Sequence, residues 1–271
     1  MADFEQQEIP FKERRLRSKQ MRRGFFLLPA IFTVGNLLCG YYACVASLVG
    51  GVDQFDRAAK AIGFAILFDS LDGRVARMTG TSSEFGVQFD SLADVVSFGV
   101  TLALMAYAWG VRSLPGPDTL GAEQIGWICC LTFLICCAWR LARFNVQGMA
   151  PGGSKSFVGL PTPAAAGVIA AFVHGLKTPI HEERWAWVWL FVVAALGALM
   201  TSTIRYYSFK DVPWTRRQPS LAIVLLCLFV AVVWKYSEVV LTLFASGYVV
   251  AGVVLQIVRA LRHRVASSRT A

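Results

Sequence analysis

Apolar runs of roughly 20 residues recur along this chain, and that is the length an α-helix needs to cross the hydrocarbon core of a bilayer. Eight such runs can be traced, at about 29–50, 54–79, 83–110, 122–147, 162–176, 184–204, 219–235 and 237–258, the fifth and seventh being short. Of the 271 residues, 56% are apolar and only 16% are charged, against about 25% charged in an ordinary soluble domain. Too few polar residues remain to coat a water-soluble core, which argues against a cytosolic globular enzyme, and the same apolar content excludes disorder. The fold class expected is an all-α integral membrane protein with about eight transmembrane helices.

Charge placement gives the topology. An even number of spans puts both termini on one side. Of the 26 lysines and arginines, 20 then fall on the side of the termini, including a run from Lys12 to Arg23 and a last group from Arg259 to Arg269. Basic residues concentrate in cytoplasmic loops, so both termini are expected in the cytoplasm. The net charge of +9 is thereby explained without nucleic acid. The first apolar run is too long for the h-region of a signal peptide. Residues 1–28 accordingly read as a retained basic juxtamembrane segment, which either sets topology or is drawn to anionic headgroups. The seven cysteines lie in apolar stretches with no Cys-x-x-Cys spacing, as expected for small packing residues rather than for zinc or a redox pair. The three histidines, His174, His181 and His263, fall at span ends or in loops, where solvated or headgroup-level positions are expected.

Charges inside spans are costly and mark functional positions. The second and third spans hold four aspartates, Asp69, Asp72, Asp90 and Asp94. At about 100° per residue, Asp69, Asp72, Gly73 and Ala76 share one helical face, and Gly86, Asp90 and Asp94 share a face of the next helix. If the chain turns near residues 79–83, Asp72 and Asp90 each lie about 10 Å below the turn, and the carboxylates converge at one level. Packed together in low dielectric they would repel, and a divalent cation is the simplest remedy. Oxygen ligands without His or Cys suit Mg²⁺ or Mn²⁺, and such ions also hold phosphate or pyrophosphate. The small residues leave room for a ligand, although small residues on a membrane helix also serve tight packing. Arg74 and Arg77 are placed to pair with the acids or with phosphate oxygens.

The stretch Asp69-x2-Asp72-Gly73-x2-Ala76-Arg77-x8-Gly86-x3-Asp90-x3-Asp94 resembles the signature of the CDP-alcohol phosphotransferase family at every fixed position. Three further stretches resemble the bacterial and archaeal phosphatidylserine synthases, a branch of that family. They are Leu28-Pro29 to Gly40 with Thr33 and Asn36, Arg140-Leu-Ala-Arg143-Phe-Asn145 leading to Gly159-Leu-Pro161-Thr-Pro163, and Ser202 to Asp211. One departure is Ala30, where the family often has Asn after the proline. The resemblance implies the CDP-alcohol phosphotransferase fold and an integral membrane enzyme, usually a homodimer. Such an enzyme moves a phosphatidyl group from CDP-diacylglycerol to an alcohol, here L-serine, and releases CMP.

On that resemblance two Mg²⁺ or Mn²⁺ ions are held by Asp69, Asp72, Asp90 and in part Asp94. Asp94 is the general base, an assignment that spacing alone does not make. The donor is expected at Thr33, Asn36, Gly73, Ala76, Arg77 and Gly86. Serine is expected at Arg140, Arg143, Asn145 and Lys155, since a carboxylate suits a fixed guanidinium. The implied organisation is a basic segment over 1–28, a catalytic membrane domain over 29–211, two further helices over 212–258 and a basic cytoplasmic tail over 259–271. The site then faces the cytoplasm from a bacterial-type inner membrane. Glycerol 3-phosphate or an inositol compound is the alternative acceptor. From another class, a cation transporter would also gather carboxylates within the membrane.

Overall fold

The computed structural model describes residues 11–79, 83–112, 120–149, 159–204, 235–252 and 254, and all of its regular structure is helical. The elements are α1 (Phe11–Val49), α2 (Val52–Thr79), α3 (Glu84–Asp94), a π-helical turn (Val95–Val100), α4 (Thr101–Gly110), α5 (Leu120–Met149), α6 (Thr162–Leu176), α7 (Glu183–Thr201) and α8 (235–252). Helix α1 runs unbroken through position 28. The third expected span is a single rod in which α3, the π-turn and α4 follow without a gap.

Among the described residues, four helical stretches are long and apolar enough to cross a membrane: Ala30–Val49, Glu84–Gly110, Glu123–Val146 and Glu183–Thr201. Helix α2 has the length, at 28 residues, but carries charges near both ends, and α6 is apolar but has only 15 residues. The expected span over 219–235 lies almost wholly outside the described residues, and the last expected span is represented by α8.

Small side chains decide how the helices meet. Lipid is as apolar as leucine, so helix association in a bilayer depends on close packing and polar links. Ala43 and Ala46 of α1, Ala58, Ala59, Ala61 and Ala65 of α2, and Ala165, Ala166 and Ala170 of α6 are all buried in one core. Gly50 and Gly51, at φ of 74° and 92°, reverse the chain between α1 and α2 in a conformation that L side chains rarely adopt. The α1–α2 hairpin then packs along its length, α2 lies on α6, and α5 pairs with α7. Towards the end of α4, Trp109 and Trp189 meet edge to face with centroids 4.9 Å apart, and Trp189 Nε1 donates to the Ala106 carbonyl at 3.0 Å.

The described cysteines are free, with Cys130 and Cys137 buried, as expected of packing residues. His174 corrects the sequence reading. It is buried rather than solvated, with Nδ1 2.5 Å from Asp56 Oδ1 and Nε2 2.8 Å from Ser237 Oγ. Three helices that are far apart in sequence supply these groups, which is why the sequence does not advertise the contact.

Candidate active site

Helix α1 brings two polar side chains to the aspartates. Thr33 and Asn36 are one helical turn apart on one face, and both are buried. Thr33 Oγ1 donates to the Asp72 carboxylate on α2. Asn36 Nδ2 donates to Asp94 Oδ1 on α3 at 2.9 Å. Both residues were expected to meet the donor substrate, and each is tied to a carboxylate of the acid motif.

A second set of contacts fixes the height of α3 against α1. Ser97 Oγ donates to the Asn36 carbonyl at 3.1 Å, and Thr101 Oγ1 donates to the Gly40 carbonyl at 3.1 Å and to Val96 O at 2.9 Å. A Cβ on Gly40 would lie 2.7 Å from Ser97 Cβ and 2.8 Å from Ser97 Cα, so only glycine permits this approach. The π-turn begins immediately after Asp94, and π-turns inside α-helices often mark functional sites. The Gly40, Ser97 and Thr101 contacts went unnoticed in the sequence; a small residue facing two hydroxyl residues four apart was the available signal.

Asp69 from α2 and Asp90 and Asp94 from α3 each place a carboxylate oxygen within 4.8 Å of the others. Asp94 and Asp72 are buried, and Asp69 and Asp90 are partly so. Asp90 Oδ1 is buried without a hydrogen-bond partner among the described residues. Among the described residues no lysine, arginine or histidine forms an ion pair with any of the four. Several carboxylates in a poorly solvated place repel unless a cation joins them. The all-oxygen donor set, with one orphaned oxygen, therefore fits a hard divalent ion. Asp72, expected in the same set, stands beside it with its carboxylate bonded to Thr33.

The remaining expected residues divide by position. Arg140 on α5 is buried at 9% exposure, donates from Nη1 to Thr162 Oγ1 at 3.1 Å, and has no partner for Nε among the described residues. Its guanidinium is within electrostatic range of Asp69 and Asp94. Asn145 Nδ2 donates to Ser91 Oγ at 2.9 Å, so it ties α5 to the helix that carries Asp90 and Asp94. Arg143 is half-buried. The Gly159-Leu160 turn is held against the end of α7, Gly159 N donating to the Ile204 carbonyl at 2.8 Å and Leu160 N to the Leu199 carbonyl at 3.0 Å. Gly73 and Gly86 are half-buried on the aspartate-bearing helices, and Gly86 N donates to the capping hydroxyl of Ser83 at 3.0 Å. Lys155 lies outside the described residues, and nothing is described of the Ala76 and Arg77 side chains. Thr162, the partner of Arg140, was not singled out in the sequence, where it stands between two prolines; it opens α6.

Among the described residues, the helices and the acid cluster together define a helical membrane protein with a metal-competent carboxylate site between α2 and α3. Residues 26–200 match the CDP-alcohol phosphatidyltransferase family profile, and the chain belongs to that family. It is 33% identical over 231 residues to the CDP-diacylglycerol–serine O-phosphatidyltransferase of Helicobacter pylori (strain ATCC 700392 / 26695), covering 84% of this chain and 90% of that one. Identity to the enzyme of the same name from Mycobacterium tuberculosis (strain ATCC 25618 / H37Rv) is 34% over 226 residues, 79% of this chain and 74% of the other. With the archaetidylserine synthase of Methanothermobacter thermautotrophicus it shares 36% over 189 residues, 67% of this chain and 70% of the relative.

Proposed function

We propose that the chain transfers the phosphatidyl group of CDP-diacylglycerol to L-serine, giving phosphatidylserine and CMP. The observation that carries the phosphoryl-transfer chemistry is the convergence of Asp69, Asp90 and Asp94 within 4.8 Å, with no ion pair to any of them among the described residues. The names of the bacterial relatives support the choice of serine.

Asp69, Asp72, Asp90 and Asp94 would hold two Mg²⁺ or Mn²⁺ ions, which when bound supply counter-charge for the pyrophosphate and for the departing CMP. Thr33 and Asn36 act on the donor through the carboxylates they orient, and Gly73, Ala76, Arg77 and Gly86 line its approach. Asp94 accepts the serine hydroxyl proton as that oxygen bonds to the phosphatidyl phosphorus. The bond from this phosphorus to the bridging oxygen breaks, and CMP leaves with the electron pair. Arg140 and Arg143 receive the serine carboxylate, for which a planar guanidinium is the matching donor, with Asn145 bracing their helix and Lys155 contributing charge. A buried guanidinium with an unpaired Nε supports this role for Arg140.

The frame for this chemistry is eight spans with both termini in the cytoplasm, a catalytic unit over 29–211 and a homodimeric assembly in a bacterial-type inner membrane. The acids then face the compartment that supplies serine. Product identification tests the reading: purified protein is mixed with CDP-diacylglycerol, Mn²⁺ or Mg²⁺ and, in turn, L-serine, glycerol 3-phosphate and an inositol compound. Phosphatidylserine and stoichiometric CMP are expected with serine. Faster turnover of either other acceptor would remove serine and leave the transfer chemistry standing.

A further inference from the structure

Helix α8 lies beyond the family-matched stretch, which ends at residue 200, yet it is built into the core. At one end, Ser237 of α8, His174 of α6 and Asp56 of α2 form a chain of contacts at 2.8 and 2.5 Å. Lys60 takes the other Asp56 oxygen at 2.6 Å. One turn further along α8, Thr242 Oγ1 donates to the Ala171 carbonyl at 3.0 Å. A Cβ on Gly175 would meet Thr242 Oγ1 at 2.8 Å and the Glu238 carbonyl at 3.2 Å. Outside this seam Lys177 and Glu238 pair at 2.5 Å. This clamp stands about 24 Å along α2 from Asp72, counting sixteen residues of helical rise.

The pairing of 237 with 174 and of 242 with 171 makes α8 antiparallel to α6, and the register can be continued. Six residues beyond Thr242 is Tyr248, and six residues before Ala171 is Ala165, each about 9 Å along its helix. Tyr248 therefore reaches the level of Ala165, one turn from Thr162. Thr162 is the residue that receives Arg140 Nη1. Tyr248 packs against the core together with Ala245 and Val249, and its phenol is within electrostatic range of the Arg140 guanidinium. Arg140 is thus within electrostatic range of Asp69 and Asp94 as well as of Tyr248 on α8.

We propose that Tyr248 is a positioning residue for the acceptor, acting through Arg140, and that the Asp56–His174–Ser237 clamp keeps α8 in the register that delivers it. The inference rests on the acceptor role proposed for Arg140. It adds that part of the acceptor pocket comes from α8 and is anchored at the far end of the molecule. A guanidinium that must meet a carboxylate in one orientation needs its approach restricted on each side. Thr162 fixes one nitrogen, and Tyr248 limits where the rest of the group swings.

The test uses the full chain in detergent or nanodiscs and reads CMP release against serine and against CDP-diacylglycerol. Tyr248→Ala, which removes the packed ring that restricts the guanidinium, is expected to raise the serine KM about tenfold, with the donor KM nearly unchanged. Tyr248→Phe, which keeps the ring, should show a smaller rise. Ser237→Ala should give the same acceptor-selective signature from the remote end, and Ser237→Thr, which retains the hydroxyl, should restore it. An unchanged serine KM in Tyr248→Ala, or equal rises in both KM values, overturns the positioning role. A normal serine KM in Ser237→Ala overturns the clamp. Failure of the serine reading itself is separate, because wild-type protein would then turn over another acceptor faster and the same variants would be scored on that acceptor's KM.

Discussion

Asn36 and Asp94 are 58 residues apart in the chain, yet the amide of one donates to the carboxylate of the other at 2.9 Å, both side chains being buried. Among the described residues the amide carbonyl of Asn36 is buried without a partner, and the contact to Asp94 is the one its amide nitrogen makes. A hydrogen bond to a charged group contributes about 1.5–3 kcal/mol, which corresponds to roughly 10- to 150-fold in whatever step the carboxylate serves. Asn36→Ala is therefore expected to lower kcat by an amount in that range while donor binding changes little. CMP release at saturating donor measures it, and an unaltered kcat would mean that Asp94 needs no such support.

Metal removal is the most direct test of the acid cluster. Asp69, Asp90 and Asp94 crowd within 4.8 Å without an ion-paired cation among the described residues. Exhaustive chelation is expected to abolish turnover, and added Mn²⁺ or Mg²⁺ to restore it. Activity that persists in the fully chelated protein would rule out a required ion.

What the sequence made legible was whatever obeys a local period. Helix length against bilayer thickness located the spans that α1, α4, α5 and α7 occupy, and the three- and four-residue spacing of Asp69, Asp72, Asp90 and Asp94 put each pair on one face. Partners set by tertiary packing were not legible. Arg140 meets Thr162 across 22 residues, and His174 meets Asp56 across 118; neither separation leaves a periodic trace. Asn145, expected at the acceptor site, also meets Ser91 across 54 residues, a contact that no spacing announces. Asp72 followed the same spacing rule as its neighbours, and its contact with Thr33 on α1, across 39 residues, is one that no spacing announces.

The four aspartates are expected to separate by kinetics. Asp94→Asn should leave donor binding nearly intact while lowering turnover, since loss of a general base costs a factor of about 10² to 10⁴. Asp69→Asn should weaken metal and donor binding together. Equal losses of donor affinity in both variants would leave Asp94 without a distinct role.

Gly40 and Gly63 form a matched pair for stability. A methyl on Gly40 strikes the backbone and Cβ of Ser97, whereas one on Gly63 meets nothing within 4 Å. Gly40→Ala should destabilise by about 1–3 kcal/mol, the usual range for overpacking. Gly63→Ala should be neutral or stabilising by up to about 1 kcal/mol, because alanine loses less backbone entropy in a helix. Thermal unfolding in one detergent compares them, and similar midpoints would contradict the close approach of α1 to the π-turn.

Arg140 and Arg143 stand one turn apart on α5 but in different surroundings, the first buried against Thr162 and the second half-buried. Replacing a guanidinium by an ammonium keeps the charge and removes the planar, two-pronged donor that a carboxylate prefers. In Arg140→Lys the shorter donor set also leaves the Thr162 hydroxyl to find a new partner in a buried place, so the penalty is larger there. Both variants are expected to raise the serine KM with the donor KM little changed, by about tenfold for Arg143→Lys and by more for Arg140→Lys. Steady-state kinetics with serine and CDP-diacylglycerol varied in turn reads the split. If Arg143→Lys treats serine normally while Arg140→Lys does not, the carboxylate is received by the buried guanidinium alone. If neither variant moves the serine KM, the acceptor site lies elsewhere and the acid cluster keeps its role.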